Sequence, residues 1–310
     1  MKKDLISIAD FSAGEITGFF RLAAELKSKL KDGMPHRLLE GKILALLFEK
    51  PSLRTRVTFE AGMIQLGGAS IYLSPSDIGL GKRESVADTA RNLARWVDGI
   101  MVRTFSHRIA LELAENCSIP VINGLTDLLH PCQVLADLLT VIEHFGLDPA
   151  RPDFSGIKVV FVGDGNNVAN SWINAAARLG IDFTISCPEG HDPDSGIWAQ
   201  ALKDKAKIGI VRDPIKAVKG ARVIYTDVWA SMGQEAEAEE RKEIFVPYQV
   251  NSRLVEKAAR GVKVMHCLPA HRGEEITSEV LDGSHSIVLD QAENRLHLQK
   301  AVLVTLMGGK

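Results

Sequence analysis

Short apolar runs alternate with longer amphipathic segments along almost the whole chain, and this alternation constrains the fold more than any other feature of the sequence. The short runs have the length of buried strands, whereas apolar residues in the longer segments recur with the period of a helix. Such alternation is typical of a mostly parallel sheet with helices packed against it. The sequence therefore predicts an α/β fold.

The predicted strands fall into two groups. The first half contains candidates at 42–48, 69–73, 99–103 and 120–123. The second half contains candidates at 158–162, 182–186, 207–211, 221–226, 262–266 and 286–290, and a last helix is predicted over 293–307. Helical faces are marked by Leu53, Val57, Ala61 and Ile64, and by Val86, Ala90, Leu93 and Val97.

A chain of 310 residues exceeds the usual size of a single hydrophobic core, so two domains are expected. Residues 146–152 are rich in Gly and Pro and suit a connection between domains. We predict a first domain over residues 1–145 and a second over 146–290, each with a mostly parallel sheet flanked by helices.

The charge and the cysteine content limit the kinds of partner and the compartment that we expect for this protein. A formal net charge of -2 argues against broad binding of nucleic acid, which needs a surplus of Lys and Arg. The four cysteines are spread singly, as in proteins whose thiols stay reduced. No apolar stretch approaches the roughly 18 residues of a membrane span, and the amino terminus lacks the apolar core of a signal peptide. A cytoplasmic protein without a membrane partner is expected.

The segment Ser52-Leu53-Arg54-Thr55-Arg56 follows a predicted buried strand and Pro51, with Ser52 in the position of a helix N-cap. The amino end of a helix presents unpaired N–H groups and a positive partial charge, and two guanidiniums and two hydroxyls add further donors. The segment therefore suits a phosphate group. Its spacing alone is equally compatible with a capped helix and solvated arginines.

Two further candidate sites of the first half lie at or beyond the ends of predicted strands. His130-Pro131-Cys132-Gln133 begins a predicted helix, and His130 and Gln133 could hydrogen-bond a small carbonyl compound. Arg103 places a cation at the end of the strand 99–103. Taken singly, His130 is more often structural and Arg103 is an ordinary surface arginine. Because ligands of parallel sheets bind beyond the carboxyl ends of the strands, these positions remain candidates.

Three loops of the second half are also candidates. Residues 163–167 resemble a dinucleotide-binding turn but lack its third glycine, which disfavours a nicotinamide cofactor. Residues 227–235 begin with Asp227 and could recognise an ammonium group, or form an ordinary connection. Residues 266–273 contain His266, Cys267 and His271, yet neighbours on a strand point to opposite faces and no fourth ligand completes a zinc site. Neither a metal nor a cofactor is expected.

Together these segments resemble the aspartate/ornithine carbamoyltransferase family, in the same order and over essentially the whole chain. Residues 52–56 are similar to the family's S-x-R-T-R motif, residues 130–133 to its H-P-x-Q motif, and residues 266–269 to the H-C-L-P motif of the ornithine branch. Ser231-Met232-Gly233 resembles the S-M-G loop of that branch. The aspartate branch instead carries arginines for a dicarboxylic acceptor.

The resemblance implies an activity and a division of labour. The first domain would bind carbamoyl phosphate and the second L-ornithine, and the helix 291–310 would cross back onto the first domain. The carbamoyl group would pass to the side-chain amine of ornithine, giving citrulline and phosphate, in arginine biosynthesis. Both substrates are small molecules, no cofactor is required, and the family implies a homotrimer with active sites near its subunit interfaces.

Site residues follow from the resemblance position by position. The catalytic residues would be Cys267, Arg54, Arg103 and His130. Carbamoyl phosphate would be bound by Ser52, Leu53, Arg54, Thr55, Gly79, Arg103, His130, Pro131, Cys132, Gln133, Cys267, Leu268 and Arg295. Ornithine would be bound by Asn167, Asp227, Ser231 and Met232.

The chain departs from the family in the loop 74–82, where many members have Gln or His and this sequence has Gly79. In the family this loop reaches the donor site of a neighbouring subunit, so completion across subunits would depend on backbone groups or on Lys82. Other readings stay open on sequence grounds. These are a carbamoyltransferase acting on putrescine or an acylated ornithine, a nicotinamide dehydrogenase, and a non-catalytic relative that only binds metabolites.

Overall fold

The computed structural model describes residues 3–80, 84–230 and 238–308. The chain divides into two compact units, the first formed by Met1–Pro152 with Glu293–Lys310 and the second by Asp153–Ala292. Each unit contains one parallel β-sheet with helices around it, which confirms the predicted α/β class.

The sheet of the first unit has the strand order β2-β1-β3-β4, with every pair parallel. Its strands are β1 (Ile43–Phe48), β2 (Ala69–Leu73), β3 (Gly99–Arg103) and β4 (Val121–Leu125). Its helices are α1 (Ala13–Lys31), α2 (Leu53–Gln65), α3 (Pro75–Ile78), α4 (Val86–Trp96), α5 (His107–Asn116) and α6 (Pro131–Phe145), preceded by a 3-10 turn at Ile8–Asp10. The strands predicted for the first half are thus present.

Helix α2 forms where it was predicted, but the apolar face assigned to it is on the outside. Leu53, Val57 and Ile64 are 75%, 50% and 70% exposed. The buried residues of the helix instead include Phe59 and Met63. Periodicity alone identifies a helix with an apolar stripe and does not say what covers that stripe.

The sheet of the second unit has the order β7-β6-β5-β8-β9 and is also parallel. Its strands are β5 (Lys158–Val162), β6 (Asp182–Ser186), β7 (Ile208–Ile210), β8 (Val223–Thr226) and β9 (Lys263–His266). Its helices are α7 (Asn167–Leu179), α8 (Ser195–Lys203), α9 (Pro214–Ala217), α10 (Ala238–Phe245), α11 (Ser252–Val255) and α12 (Ser278–Leu281), with a 3-10 turn at Val246–Tyr248. Within the described ranges, no helix has both the length and the apolar content to cross a bilayer.

The strand predicted at 286–290 is not formed. Ser286 makes only an isolated bridge with Val264, and helix α13 (Val288–Met307) begins two residues later. A short apolar run is compatible with either a strand or a buried helical turn, and here Val288 is buried while Leu289 is 76% exposed. The last helix therefore starts five residues before the predicted position.

From Glu293 onward, α13 belongs to the first unit, which confirms the expected return of the last helix. Gly62 of α2 lies against it: a Cβ at Gly62 would be 3.3 Å from Cγ of Lys300. Lys300 is fully buried, and its Nζ donates to Oε1 of Gln65 at 2.9 Å and lies 3.1 Å from Nε2 of His36. Burial lowers the pKa of Lys300 to about 8.

We expect His297 on α13 to make the protein sensitive to acid. Burial, followed by the charges of Lys300 and Lys27, lowers its pKa from 6.5 to about 4. The unfolded chain therefore binds more protons below pH 6.5, and stability is lost as the pH falls from about 6.5 to about 4. Urea unfolding at pH 7.5 and pH 5 should show a smaller loss for His297→Gln than for the unsubstituted protein, by about 2 kcal/mol.

His271, whose side chain is 53% exposed, provides the control. His271→Gln should leave the difference between the two pH values unchanged. An equal loss of stability in His297→Gln and in the unsubstituted protein would contradict the assignment to His297.

Candidate active site

In each unit there is one place where successive strands stop being added to one side of the sheet and are added to the other side. In the first unit the connection from β1 leads to β2 on one side, and β3 lies on the other side of β1, with Phe48 opposite Arg103. Loops that leave the carboxyl ends of such neighbouring strands diverge and leave a crevice for ligands. The segment beginning at Ser52 follows β1, and Arg103 is the last residue of β3.

Ser52 is the N-cap of α2, as predicted. Its backbone is extended, with φ of -154°, and its Oγ accepts from the N–H of Thr55 at 3.4 Å. The hydroxyl of Ser52 also donates to Oγ1 of Thr55 at 3.2 Å. The N–H groups in the first turn of a helix lack acceptors within the helix, so the start of α2 is a natural site for an anion.

Arg295 joins three helices. Its Nη1 donates to Oε1 of Gln133 on α6, and its Nη2 donates to Oγ1 of Thr55 on α2 at 3.1 Å. With the amide of Gln299 assigned so that its nitrogen donates to Oγ1 of Thr58 at 2.6 Å, its oxygen accepts from Arg295 at 3.1 and 3.2 Å. Arg295 is only 3% exposed, so these contacts hold a buried guanidinium beside the start of α2.

His130 is the residue before Pro131 at the start of α6, and it is buried. Burial lowers its pKa well below the usual value, and the guanidiniums of Arg295, Arg103 and Arg54 lower it further. The imidazole is therefore neutral near pH 7, with one nitrogen able to donate. The charges of Arg295, Arg103 and Arg54 therefore all act on the ring of His130. We call these four residues the donor cluster.

The other donor-site candidates offer less side-chain chemistry. Cys132 is buried, its Sγ donates to the carbonyl oxygen of Asn123 at 3.4 Å, and burial raises its pKa to about 12. Pro131 is buried at the first turn of α6, and the side chain of Leu53 points to solvent. Gly79 ends α3 with φ of 49° and ψ of 45°, a left-handed conformation. Lys82 lies outside the described residues.

In the second unit the strand order reverses between β5 and β8, and Asp227 follows β8. Its carboxylate is surrounded by donors: Nδ2 of Asn166 is 2.8 Å from Oδ2, and Sγ of Cys267 is 2.9 Å from Oδ1. The N–H of Val228 also donates to Oδ1 at 2.9 Å. We call Asp227, Asn166 and Cys267 the acceptor cluster.

Two asparagines stand at the start of α7, Asn166 and the predicted Asn167. Asn167 is the first residue of α7, whereas Asn166 is its N-cap and accepts from the N–H groups of Val168 and Ala169 while donating to Asp227. An Asn between a strand and a helix is a recognisable N-cap, so the sequence contained the signal that was missed. Ser231 and Met232, also predicted for this site, lie outside the described residues.

Leu268 has φ of 56°, and its N–H donates to Nδ1 of His266 at 2.8 Å. Nε2 of His266 lies 2.9 Å from Oε1 of the fully buried Glu275, so His266 is protonated at Nε2 and accepts at Nδ1. These bonds hold the backbone next to Cys267. Glu275 was not identified from the sequence.

Contrary to the expectation from strand alternation, His266 and Cys267 are not directed apart. Ligand atoms of Asp227, His266 and Cys267 all lie within 4.8 Å of one another, because β9 ends at His266 and the chain then turns. The same holds for His271, Glu274 and Glu275. A metal on the first group would have to compete with the two hydrogen bonds that occupy both nitrogens of His266.

A second layer supports the loop that carries Asn166. Nη1 of Arg241 donates to the carbonyl oxygen of Trp229 at 2.9 Å and lies 3.3 Å from Oδ2 of Asp164. Burial raises the pKa of Asp164, although the charge of Arg241 opposes this shift. At Gly165 a Cβ would lie 2.3 Å from the backbone carbon of Asp192, so only glycine permits this approach.

Both the sequence and the structure of the chain are similar to those of known proteins. Residues 3–143 match the model of the aspartate/ornithine carbamoyltransferase carbamoyl-P binding domain, and residues 155–306 match that of its Asp/Orn binding domain. The ornithine carbamoyltransferase of Syntrophus aciditrophicus is 56% identical over 308 residues, covering 99% of this chain and 100% of the relative. The anabolic ornithine carbamoyltransferase of Pyrococcus furiosus is 52% identical over 311 residues, covering 99% and 97%.

Solved structures agree with these matches. The ornithine carbamoyltransferase of Pyrococcus furiosus superposes with a TM-score of 0.94 at 52% identity, covering 99% of this chain and 97% of that one. The anabolic enzyme of Campylobacter jejuni has a TM-score of 0.91 at 38% identity and covers 99% of both chains. The chain belongs to the aspartate/ornithine carbamoyltransferase family.

Proposed function

We propose that the protein is an ornithine carbamoyltransferase, which transfers the carbamoyl group of carbamoyl phosphate to the side-chain amine of L-ornithine and releases L-citrulline and phosphate. The observation that carries the proposal is the donor cluster, in which the charges of three guanidiniums act on one buried, neutral imidazole at the start of α6. The family membership and the names of the relatives support the same reaction.

The first unit binds carbamoyl phosphate in this proposal. The N–H groups at the start of α2, with Ser52, Leu53, Arg54 and Thr55, bind the phosphate. Pro131 and Cys132 hold the start of α6 against it, and Gly79 adds a backbone contact. A doubly charged phosphate offsets the mutual repulsion of the three buried or half-buried guanidiniums.

Attack on the carbamoyl carbon moves negative charge onto its oxygen. Neutral His130 and the guanidiniums of Arg54 and Arg103 are fixed donors that stabilise this charge in the transition state, with Thr55 as a further donor. His130 must keep a proton on the nitrogen facing the oxygen, and its lowered pKa leaves it neutral so that it adds no positive charge to the cluster. The reaction needs no covalent intermediate with the enzyme and no cofactor.

The second unit binds ornithine. The carboxylate of Asp227 accepts hydrogen bonds only, so it attracts the α-ammonium group and would repel the second carboxylate of aspartate. Asn167, Ser231 and Met232 complete this site in the proposal. Asn166 also contributes to this site, because its Nδ2 donates to Oδ2 of Asp227 at 2.8 Å and so positions the carboxylate.

The reacting amine must lose protons. Its pKa in water is near that of lysine, about 10.4, so about one molecule in a thousand is neutral at pH 7. Cys267 and the backbone of Leu268 contact this amine in the proposal, and the leaving phosphate takes the final proton. The thiol of Cys267, which donates to Asp227 at 2.9 Å, links the reacting amine to the carboxylate that orients the substrate.

The biological role follows from the relatives. Relatives from Pyrococcus furiosus and Campylobacter jejuni are described as anabolic, which favours arginine biosynthesis over arginine breakdown. We place the enzyme in the cytoplasm, as expected for this pathway in a chain with singly spaced cysteines.

An assay of acceptor specificity tests the proposed activity. With carbamoyl phosphate as donor, ornithine should give citrulline, whereas putrescine, N-acetylornithine and aspartate should react at least about a hundredfold more slowly. N-acetylornithine loses the charged contact at Asp227, aspartate adds a repulsive carboxylate, and putrescine lacks the α-carboxylate of ornithine. A colorimetric measurement of the carbamoylated product is sufficient. Absence of citrulline, or faster reaction with another acceptor, would overturn the assignment.

Substitution of Cys267 tests its part in catalysis. Cys267→Ala removes the donor to Asp227, and we expect kcat/KM for ornithine to fall about tenfold, the value of one hydrogen bond to a charged group. Cys267→Ser keeps a donor and should recover part of the loss. An unchanged kcat and an unchanged KM for ornithine across pH 6 to 9 in Cys267→Ala would exclude a role for the thiol.

We also propose that the protein is a homotrimer. The exposed apolar stripe of α2, formed by Leu53, Val57 and Ile64, supports an interface between copies, as does Ile71 on the edge strand β2, which is 47% exposed. Apolar stripes and open sheet edges of this kind are normally covered. The loop containing Gly79 would approach the donor site of a neighbouring subunit through its backbone.

Charge introduced into this stripe should prevent assembly. Ile64 is 70% exposed in one chain, so Ile64→Lys should leave the chain folded but reduce the mass measured by light scattering from that of three chains to that of one. Leu202→Lys, at a position 54% exposed on α8, is the matched control and should remain trimeric. A trimer that persists in Ile64→Lys would exclude α2 from the interface.

A further inference from the structure

Helix α6 carries a carboxylate that the reaction described above does not use. Asp137 lies one turn after Gln133, in the interior of the first unit, and it is fully buried. Charged side chains are rarely buried to this extent, because removal from water is costly unless a partner compensates. A buried aspartate beside the donor cluster therefore requires a reason.

A chain of hydrogen bonds connects Asp137 to the donor cluster. Nε2 of Gln133 donates to Oδ1 of Asp137 at 2.7 Å. Oε1 of the same amide accepts from Nη1 of Arg295, whose Nη2 donates to Oγ1 of Thr55 at 3.1 Å. Protein groups therefore bond both ends of the amide of Gln133, which is only 1% exposed.

The direction of this chain depends on the charge of its first member. An amide has a donor end and an acceptor end and can rotate to exchange them, but a carboxylate only accepts and a guanidinium only donates. With Asp137 at one end, the NH2 group of Gln133 must face the carboxylate and its oxygen must face Arg295. If the amide were reversed, an NH2 group would face a guanidinium, and two buried donors would lose their acceptors.

We propose that Asp137 is a positioning residue for carbamoyl phosphate, which acts through Gln133 to fix the guanidinium of Arg295 beside the first turn of α2. The inference rests on the proposed function for its substrate. In it the side chain of Gln133 orients Arg295.

Replacement of the carboxylate by an amide tests this role. Asn at position 137 can present either an oxygen or an NH2 group, so Asp137→Asn no longer specifies the orientation of Gln133. We expect the KM for carbamoyl phosphate to rise about tenfold and the KM for ornithine to change less than about twofold, since one charge-assisted hydrogen bond is lost on the donor side alone. Loss of packing alone would not separate the two substrates in this way.

Thr140 provides the matched control. It is buried on the same helix and also reaches α13, where Nδ2 of Asn294 donates to its Oγ1 at 3.0 Å. Thr140→Val removes this bond without involving Arg295, so it should lower the thermal midpoint while leaving both KM values unchanged. A rise in the donor KM of Thr140→Val equal to that of Asp137→Asn would overturn the proposal.

A double-mutant cycle separates action through Gln133 from an independent effect. In a Gln133→Leu background, adding Asp137→Leu should leave the donor KM unchanged within about twofold, because the intermediary is already absent. This comparison replaces a buried polar pair by an apolar one and remains available if Asp137→Asn does not fold. A further large rise in the donor KM on adding Asp137→Leu would show that Asp137 acts independently, which contradicts the proposal.

Equilibrium binding of inorganic phosphate distinguishes this inference from the proposed reaction. Calorimetric titration of the intact protein needs no turnover, and Asp137→Asn should weaken phosphate binding by about the same factor as it raises the donor KM. If the unsubstituted protein makes no citrulline but Asp137→Asn still weakens phosphate binding, the reaction is wrong and the positioning role stands. Equal phosphate affinity in the two proteins, with citrulline formation intact, overturns the positioning role alone.

Discussion

A guanidinium cannot be removed from water unless acceptors are placed around it, and the first unit is organised around this requirement at Arg295. The acceptors come from α2, α6 and α13, which are distant in the sequence. The last helix must therefore return to the first unit before the donor cluster exists. This explains why a helix at the carboxyl terminus contributes to a site otherwise built from the first half of the chain.

In the second unit the buried charge is a carboxylate, and hydrogen-bond donors take the place of acceptors. Asp227 is 8% exposed, and donors from the ends of β5 and β9 surround it. In both units the parallel arrangement brings loops that are far apart in sequence to one edge of a sheet, where strand order changes direction. The cationic cluster suits the phosphate-bearing substrate, whereas the carboxylate suits the ammonium of the acceptor.

Buried charges are costly, and their arrangement here serves recognition more than stability. The three arginines of the donor cluster lower the pKa of His130 together with burial, which keeps the ring neutral. Asp137 adds a carboxylate that reaches the cluster through Gln133. Hydrogen-bonded layers behind the contact residues, such as Glu275 behind His266 and Arg241 behind Asp164, hold loops that would otherwise be free to rearrange.

The sequence by itself determined the α/β class, the strand positions except at 286–290, the start of α2 with its N-cap at Ser52, and the family, because these depend on local periodicity, local caps and short motifs. It did not determine that the apolar stripe of α2 faces outward, that Asn166 donates to Asp227, or that Asp137 and Glu275 support the clusters. Those features arise from contacts between residues far apart in the chain. Only the folded chain decides them, because burial and hydrogen-bond partners are properties of the tertiary structure.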